Sequence, residues 1–139
     1  METGESTGAS RIHLQPDPLE AFRIAQGYRV GGLVFTSGQA AIARDGSLVG
    51  VGDFDAQADQ VFANLAAVLE AGGSSLERVI KVTIHLTDMA NFPKIVELRG
   101  RYFSPPWPAD TIVEVRALAL PELMIEIEAV ALAGGGMTG

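Results

Sequence analysis

A switch of hydrophobic period near the middle of the chain constrains the fold more than any other feature. Over residues 54–71, FDAQADQVFANLAAVLEA, the side chains of Val61, Phe62, Leu65, Val68 and Leu69 fall on one face at helical spacing. Asp53 or Asp55 can cap the start by accepting backbone N–H bonds. Gly72-Gly73 stops the helix, because glycine tolerates the left-handed conformation past a helix end. Residues 78–88, RVIKVTIHLTD, then alternate and are rich in β-branched side chains, the pattern of a strand. A helix with one apolar stripe beside an alternating strand predicts a helix layer packed on a sheet.

The rest of the chain extends this pattern. RIHLQP (11–16) reads as a first strand, ended by Pro16 and Pro18. FRIAQGYRV (22–30) and LVFTSGQA (33–40) flank Gly31-Gly32, a hairpin signal, and RDGS (44–47) marks a second turn. Asn91 is the expected cap of a second helix with Pro93 in its first turn, running through KIVELRGRYF (94–103). TIVEVRALAL (111–120) and MIEIEAVAL (124–132) read as closing strands. The order β-β-β-α-β-α-β-β predicts an α+β fold, a single sheet of about six strands with two helices on one face. Residues 1–10 and 134–139 are too polar and small to bury anything and read as flexible tails around one domain, 11–133. The predicted sheet has a face without helices, yet its strands are apolar on both sides. In TIVEVRALAL one side carries Val113, Val115 and Ala117, and the other Ile112, Glu114, Arg116 and Leu118. Such a face predicts a second subunit against it.

Composition removes several functions. The chain has 139 residues, is 47% hydrophobic and carries a formal charge of −7 with a pI near 4.7. Its ten Lys and Arg are scattered, so nucleic acid, which needs a cationic face, is not an expected partner. Without Cys there is no thiolate nucleophile or thiolate metal site. The two histidines, His13 and His85, stand in no HxH or HExxH spacing, so a His-based metal site is not expected. The N-terminus has no apolar signal-peptide core and no run reaches membrane-spanning length, which predicts a cytoplasmic protein with no membrane partner.

Six segments then carry a family resemblance. FTSGQ (35–39), NLAAVLEAGG (64–73), VIKVTIHLTDMANF (79–92), WPAD (107–110), LP (120–121) and IEIEAVA (125–131) occur in this order. They resemble the Rid family, the RidA/YjgF-type reactive-intermediate (imine) deaminases also labelled endoribonuclease L-PSP. The resemblance spans residues 22–131. It implies a chorismate-mutase-like α+β protomer in a homotrimer, with a central barrel and small-molecule clefts between subunits. It also implies cofactor-independent hydrolysis of enamines and imines to 2-keto acids and ammonia. In the best-known branch an Arg in a Pro-Ala-Arg motif clamps the substrate carboxylate, a task suited to a bidentate guanidinium.

This sequence departs from that branch at the clamp. Asp110 stands where the Arg would be, Ile24 and Arg99 where it has tyrosines, Val96 where it has an Asn, and Ile112 where it has a Cys. The segment between Phe103 and Pro108 is shorter. Ser37, Gly38 and Glu126 remain. A carboxylate repels a carboxylate, so 2-imino acids are not the expected substrates.

Several readings of these residues stay open. Asp110 and Glu126 in one pocket would form an acid/base pair, one pKa pushed up by the other charge. Alternatively, Asp110 caps a turn or pairs with an arginine. Glu126 either orients water or pairs with Arg116 or Arg99. Arg99 shares a helix face with Val96 and is either a replacement cation or a solvated residue. Ser37 lacks a His to activate it and the GxSxG elbow, so it is not a nucleophile; Gly38 allows a close backbone approach. Trp107 and Phe103 line the cleft or simply pack. The expected function is hydrolysis or other processing of a small enamine or imine, with Glu126 and Asp110 catalytic. Ser37, Gly38, Arg99, Ile24, Val96, Ile112 and Trp107 would then bind substrate. The alternative is a non-catalytic trimeric metabolite-binding module, and an endoribonuclease is the weakest reading.

Overall fold

The computed structural model describes residues 8–135 and 138. Of the two segments read as tails, residues 1–7, 136, 137 and 139 lie outside this set. Six strands and two helices follow the chain as β1 (Ala9–Arg11), β2 (Gly27–Val30), β3 (Leu33–Thr36), α1 (Phe54–Ala71), β4 (Val79–Leu86), α2 (Phe92–Tyr102), β5 (Ala109–Glu114) and β6 (Ile125–Leu132). One sheet has the order β1-β2-β3-β6-β4-β5. The last strand therefore enters the middle, antiparallel to β3 and β4. α2 forms the crossover between β4 and β5, the parallel pair.

The helices cover one face, as expected. Phe62, Leu65 and Leu69 of α1 and Ile95 of α2 are fully buried against Val34, Ile84 and Ile127 of the sheet. Asp53 caps α1, its Oδ1 accepting from the Ala56 N–H at 3.1 Å. Gln57, nominally polar, is also buried in this layer. Its Nε2 donates to the Gly50 and Glu122 carbonyls and its Oε1 accepts from the Met124 N–H, which ties the loop before β6 to the helix.

The opposite face has no helix. Paired registers put Tyr28, Val30, Phe35, His85, Val113, Glu126 and Glu128 on it. Tyr28, Val30, Phe35 and Val113 are 38% to 43% exposed. The two-sided apolar character read from the sequence is thus a real property of the folded sheet.

Element boundaries differ from expectation at several points; LVFTSGQA, for one, is a strand only over Leu33–Thr36. The first strand is Ala9–Arg11, starting two residues inside the segment read as a tail; after Arg11 the Ile12 N–H still bonds to the Gly27 carbonyl. FRIAQGYRV is not one strand. Asp17 accepts from the Leu19 N–H, residues 20–22 form a 3-10 turn, and Arg23 takes φ 61°, so the chain becomes extended only at Gly27. TIVEVRALAL is a strand only to Glu114, since Val115 makes a last bond to Leu86 and β4 ends there. Asn91 precedes α2 but makes no side-chain cap bond; the Asp88 carboxylate caps the 3-10 turn before it through the Ala90 N–H.

Candidate functional site

The expected site residues separate into two cavities. The first lies beside the end of β3 and the start of β6 and has a volume of about 260 Å³. Ile24, Ser37, Gly38 and Glu126 line it, with Leu19 and Phe22. The second, of about 570 Å³, lies between α2 and β5. Val96, Arg99, Trp107, Asp110 and Ile112 line it, with Phe92.

A local irregularity of the sheet builds the first cavity. β3 and β6 pair regularly through Phe35↔Val130, and the ladder closes again at Gln39↔Ile127. Between these points Thr36, Ser37 and Gly38 stand opposite only Glu128 and Ala129. One extra residue makes a bulge, the device that re-aims side chains beside active sites. Thr36 fills the gap in the ladder, its Oγ1 accepting from the Ala129 N–H at 3.0 Å. Ser37 is held by its own hydroxyl, which donates to the Ala25 carbonyl at 2.5 Å, so that hydroxyl is a clip rather than a nucleophile. Below them Gln39 donates to Gln26 at 3.0 Å and Gln26 to Asp17 at 2.7 Å. Both glutamines are almost fully buried, and this relay fixes the cavity floor.

Gly38 has a direct reason to be glycine. A Cβ at that position would overlap the Glu126 carboxylate, with the carboxyl carbon at 2.8 Å. The backbone thus runs directly beneath the acid. No side chain among the described residues donates a hydrogen bond to that carboxylate. Burial pushes the Glu126 carboxyl above its ordinary value; His85 pulls it back, and Glu128 adds to the rise. A partly desolvated carboxylate without a protein donor is suited to take and return a proton.

The second cavity is organised by an ion pair. Arg99 Nε and Nη2 donate to Asp110 Oδ2 and Oδ1 at 2.9 and 3.0 Å. The pair is bidentate and mostly shielded, with 28% and 17% of the two side chains exposed. The Arg99 guanidinium also lies 5.7 Å from the Phe92 ring centroid. Trp107, flanked by Pro106 and Pro108, adopts φ 72° and leaves its side chain half exposed.

Two expectations change here. Asp110 and Glu126 do not share a pocket within the chain. Asp110 pairs in register with Val82 on the helix-covered face, whereas Glu126 pairs with His85 on the open face. The rise of the Glu126 pKa comes from burial, with Glu128 adding to it, and not from Asp110. Asp110 is not a free negative charge either, because Arg99 matches it. Glu126 pairs with neither Arg116 nor Arg99 among the described residues. Leu19, Phe22, Gln26, Gln39 and Phe92 are cavity components that no sequence argument singled out. The glutamines carried a signal: Gln26 and Gln39 stand in FRIAQGYRV and LVFTSGQA, the two runs read as a hairpin, where a buried polar side chain needs a partner.

The comparisons with known proteins converge on this frame. The family model described as Endoribonuclease L-PSP matches residues 14–133. The chain belongs to this Rid/YjgF-type family. It is 40% identical over 116 residues to a RutC family protein of Pyrococcus horikoshii, covering 84% of this chain and 90% of that one. It is 33% identical over 118 residues to a 2-iminobutanoate/2-iminopropanoate deaminase of Dermatophagoides farinae, covering 84% of this chain and 89% of the relative. The crystal structure of RidA from the Antarctic bacterium Psychrobacter superposes with a TM-score of 0.80 at 34% identity, over 88% of this chain and 98% of that one. The six-stranded sheet with two helices is the Rid fold. Among the described residues, no group of three or more His, Cys, Asp or Glu side chains is arranged to hold a metal ion. Nor is any helix among the described residues long and apolar enough to cross a membrane.

Proposed function

We propose that this protein hydrolyses a small reactive imine or enamine in a cleft completed by two subunits of a homotrimer. The observation that carries the reading is the Glu126 carboxylate, desolvated, without a hydrogen-bond donor among the described residues, and seated on Gly38. The name of the mite relative supports the reaction class. The exposed apolar side chains on the open sheet face support the assembly, since a solvated sheet face is ordinarily polar. The two cavities act as half-sites, the Glu126 half of one subunit facing the Arg99–Asp110 half of the next.

The chemistry balances with one carboxylate. With the substrate bound as its protonated iminium, Glu126 takes a proton from water as the water oxygen bonds to the iminium carbon, giving a neutral carbinolamine. Glu126 then gives that proton to the nitrogen and takes the hydroxyl proton as the C–N bond breaks, so a carbonyl compound and ammonia leave and Glu126 releases the substrate's extra proton to solvent. An enamine enters the same route after protonation at carbon.

Two measurements test this. Light scattering should give a particle of three times the 14.6 kDa chain mass; a monomer at micromolar concentration removes the shared cleft. Ammonia release from imines generated in situ should be accelerated by the protein and lost in Glu126→Gln. A trimer that binds such compounds but accelerates none of them is a binding module instead.

A further inference from the structure

We propose that the half-site between α2 and β5 selects an uncharged, planar ligand end, so that the substrate is an imine or enamine whose carboxyl is absent or masked as an amide, ester or aromatic ring. The proposal deepens the imine-processing reading and rests on it for the reacting group.

Charge comes first. Both Asp110 oxygens accept from Arg99, and no other ionisable side chain lines this cavity among the described residues. The wall is therefore neutral in sum. A free carboxylate entering it would shed water beside a guanidinium whose charge is already matched and next to a fixed carboxylate. It would lack the net attraction that makes a lone arginine a carboxylate clamp.

Donors remain available, however. Arg99 uses Nε and Nη2 on Asp110, while Nη1 makes no hydrogen bond to the protein among the described residues. Its N–H groups can donate to a carbonyl of an amide or ester, which needs a donor but no counter-charge. Asp110 thus acts as a positioning residue, fixing the guanidinium plane against β5.

The remaining wall favours a flat apolar body. Val96 and Ile112 offer no polar group, and Val96 is 55% exposed. Trp107 is held at φ 72° between two prolines and is 51% exposed, so its indole is presented rather than packed. A non-glycine residue held in this left-handed region is a recognised mark of functional sites. Phe92, already under the guanidinium, makes a second aromatic surface. Aromatic faces prefer planar partners.

Matched ligand pairs test the selection on the intact protein, by calorimetry or ligand-observed NMR. Benzamide against benzoate, and 2-oxobutanamide against 2-oxobutanoate, differ only in charge at the recognised end. The wild-type protein should bind each amide at least about tenfold more tightly than its carboxylate. Asp110→Asn, nearly isosteric, leaves Arg99 uncompensated and should shrink or invert both ratios. Trp107→Leu should weaken benzamide more than 2-oxobutanamide. Carboxylates that bind wild type as well as their amides overturn the proposal, and this measurement stands even where a variant does not fold. Ratios unmoved by Asp110→Asn in a folded protein overturn it too. Ammonia release from carboxylate-bearing imines at the rate of their amides would sink this selection while leaving imine hydrolysis intact. Amide-selective binding without turnover of any imine would do the reverse.

Discussion

The two cavities, proposed above as half-sites, are built on different principles. The Glu126 half is made mostly by the backbone: a bulge, a glycine and a serine clip hold an acid that lacks a hydrogen-bond donor among the described residues. The Arg99 half is made by side chains, and its two charges satisfy each other. One half keeps an unsatisfied acid at an energetic cost; the other keeps no charge unmatched, although the Arg99 Nη1 donors stay free among the described residues. Unmet need is where reactivity resides, and internal satisfaction is where shape and selection reside. Substitutions in the first half should therefore change rate, and those in the second should change preference and stability.

The largest expected effect breaks the first half. Glu126→Gln should lower ammonia release by about 10²- to 10⁴-fold, the usual contribution of a positioned acid–base group. Steady-state assays check this; a loss below tenfold would assign the proton transfer elsewhere. Gly38→Ala attacks the same half through its backbone. The new Cβ must displace the Glu126 carboxylate or the bulge, and overpacking of this kind costs about 1 to 3 kcal/mol. Urea denaturation measures the cost, and the activity should fall with it.

The second half should respond more mildly. Arg99→Ala leaves Asp110 without its partner in a mostly shielded site. The loss should be about 1 to 2 kcal/mol, below the figure for a fully buried pair because both side chains keep some solvent. Adding Asp110→Asn to Arg99→Ala should recover most of it, as a double-mutant cycle would show. The exposed pair Arg101–Asp59, 56% and 55% exposed, serves as the control: Arg101→Ala should fall within about 0.5 kcal/mol of wild type.

Glu126 also makes a smaller, pH-dependent prediction. Its pKa in the fold lies above the ordinary 4.5, so the folded chain holds this proton longer than the unfolded chain does. The stability linked to it is fully present below 4.5 and is lost as pH rises through the folded value. Glu126→Gln removes that loss. The variant should melt higher than wild type at neutral pH, with the difference vanishing near about pH 4. A variant less stable than wild type at neutral pH would mean that the carboxylate has a structural partner after all. A gain in stability with a loss in rate would instead mark a group retained for chemistry.

The local parts of this fold were legible and the non-local ones were not. Helix α1 matches its sequence reading at both ends, because its stripe, its Asp53 cap and its Gly72 stop are all written within one segment. Strands β4 and β6 were clear from alternation alone. Nothing in the sequence says that β6 inserts between β3 and β4, or that β5 runs parallel to β4, since pairing partners are chosen by the whole chain. The strand reading of residues 22–26 failed because the Asp17 carboxylate organises a turn from outside that window. The residues that the family resemblance picked out all line one or the other of two cavities. Their division into two cavities was hidden, because it depends on which sheet face each strand residue occupies, and register decides that. The Arg99–Asp110 pair stood among the open readings, and only geometry could choose it over the others.

The bulge between β3 and β6 has a consequence for heredity. Because side chains in a strand alternate, a one-residue change in length normally inverts everything downstream. Here the chain carries that surplus residue permanently, at Thr36–Gly38, and the ladder recovers at Gln39. Deleting one residue would make the sheet more regular and would erase the ledge on which Glu126 rests. Point substitution can revise the cleft around Glu126, but a single-codon deletion at the bulge would remove its seat.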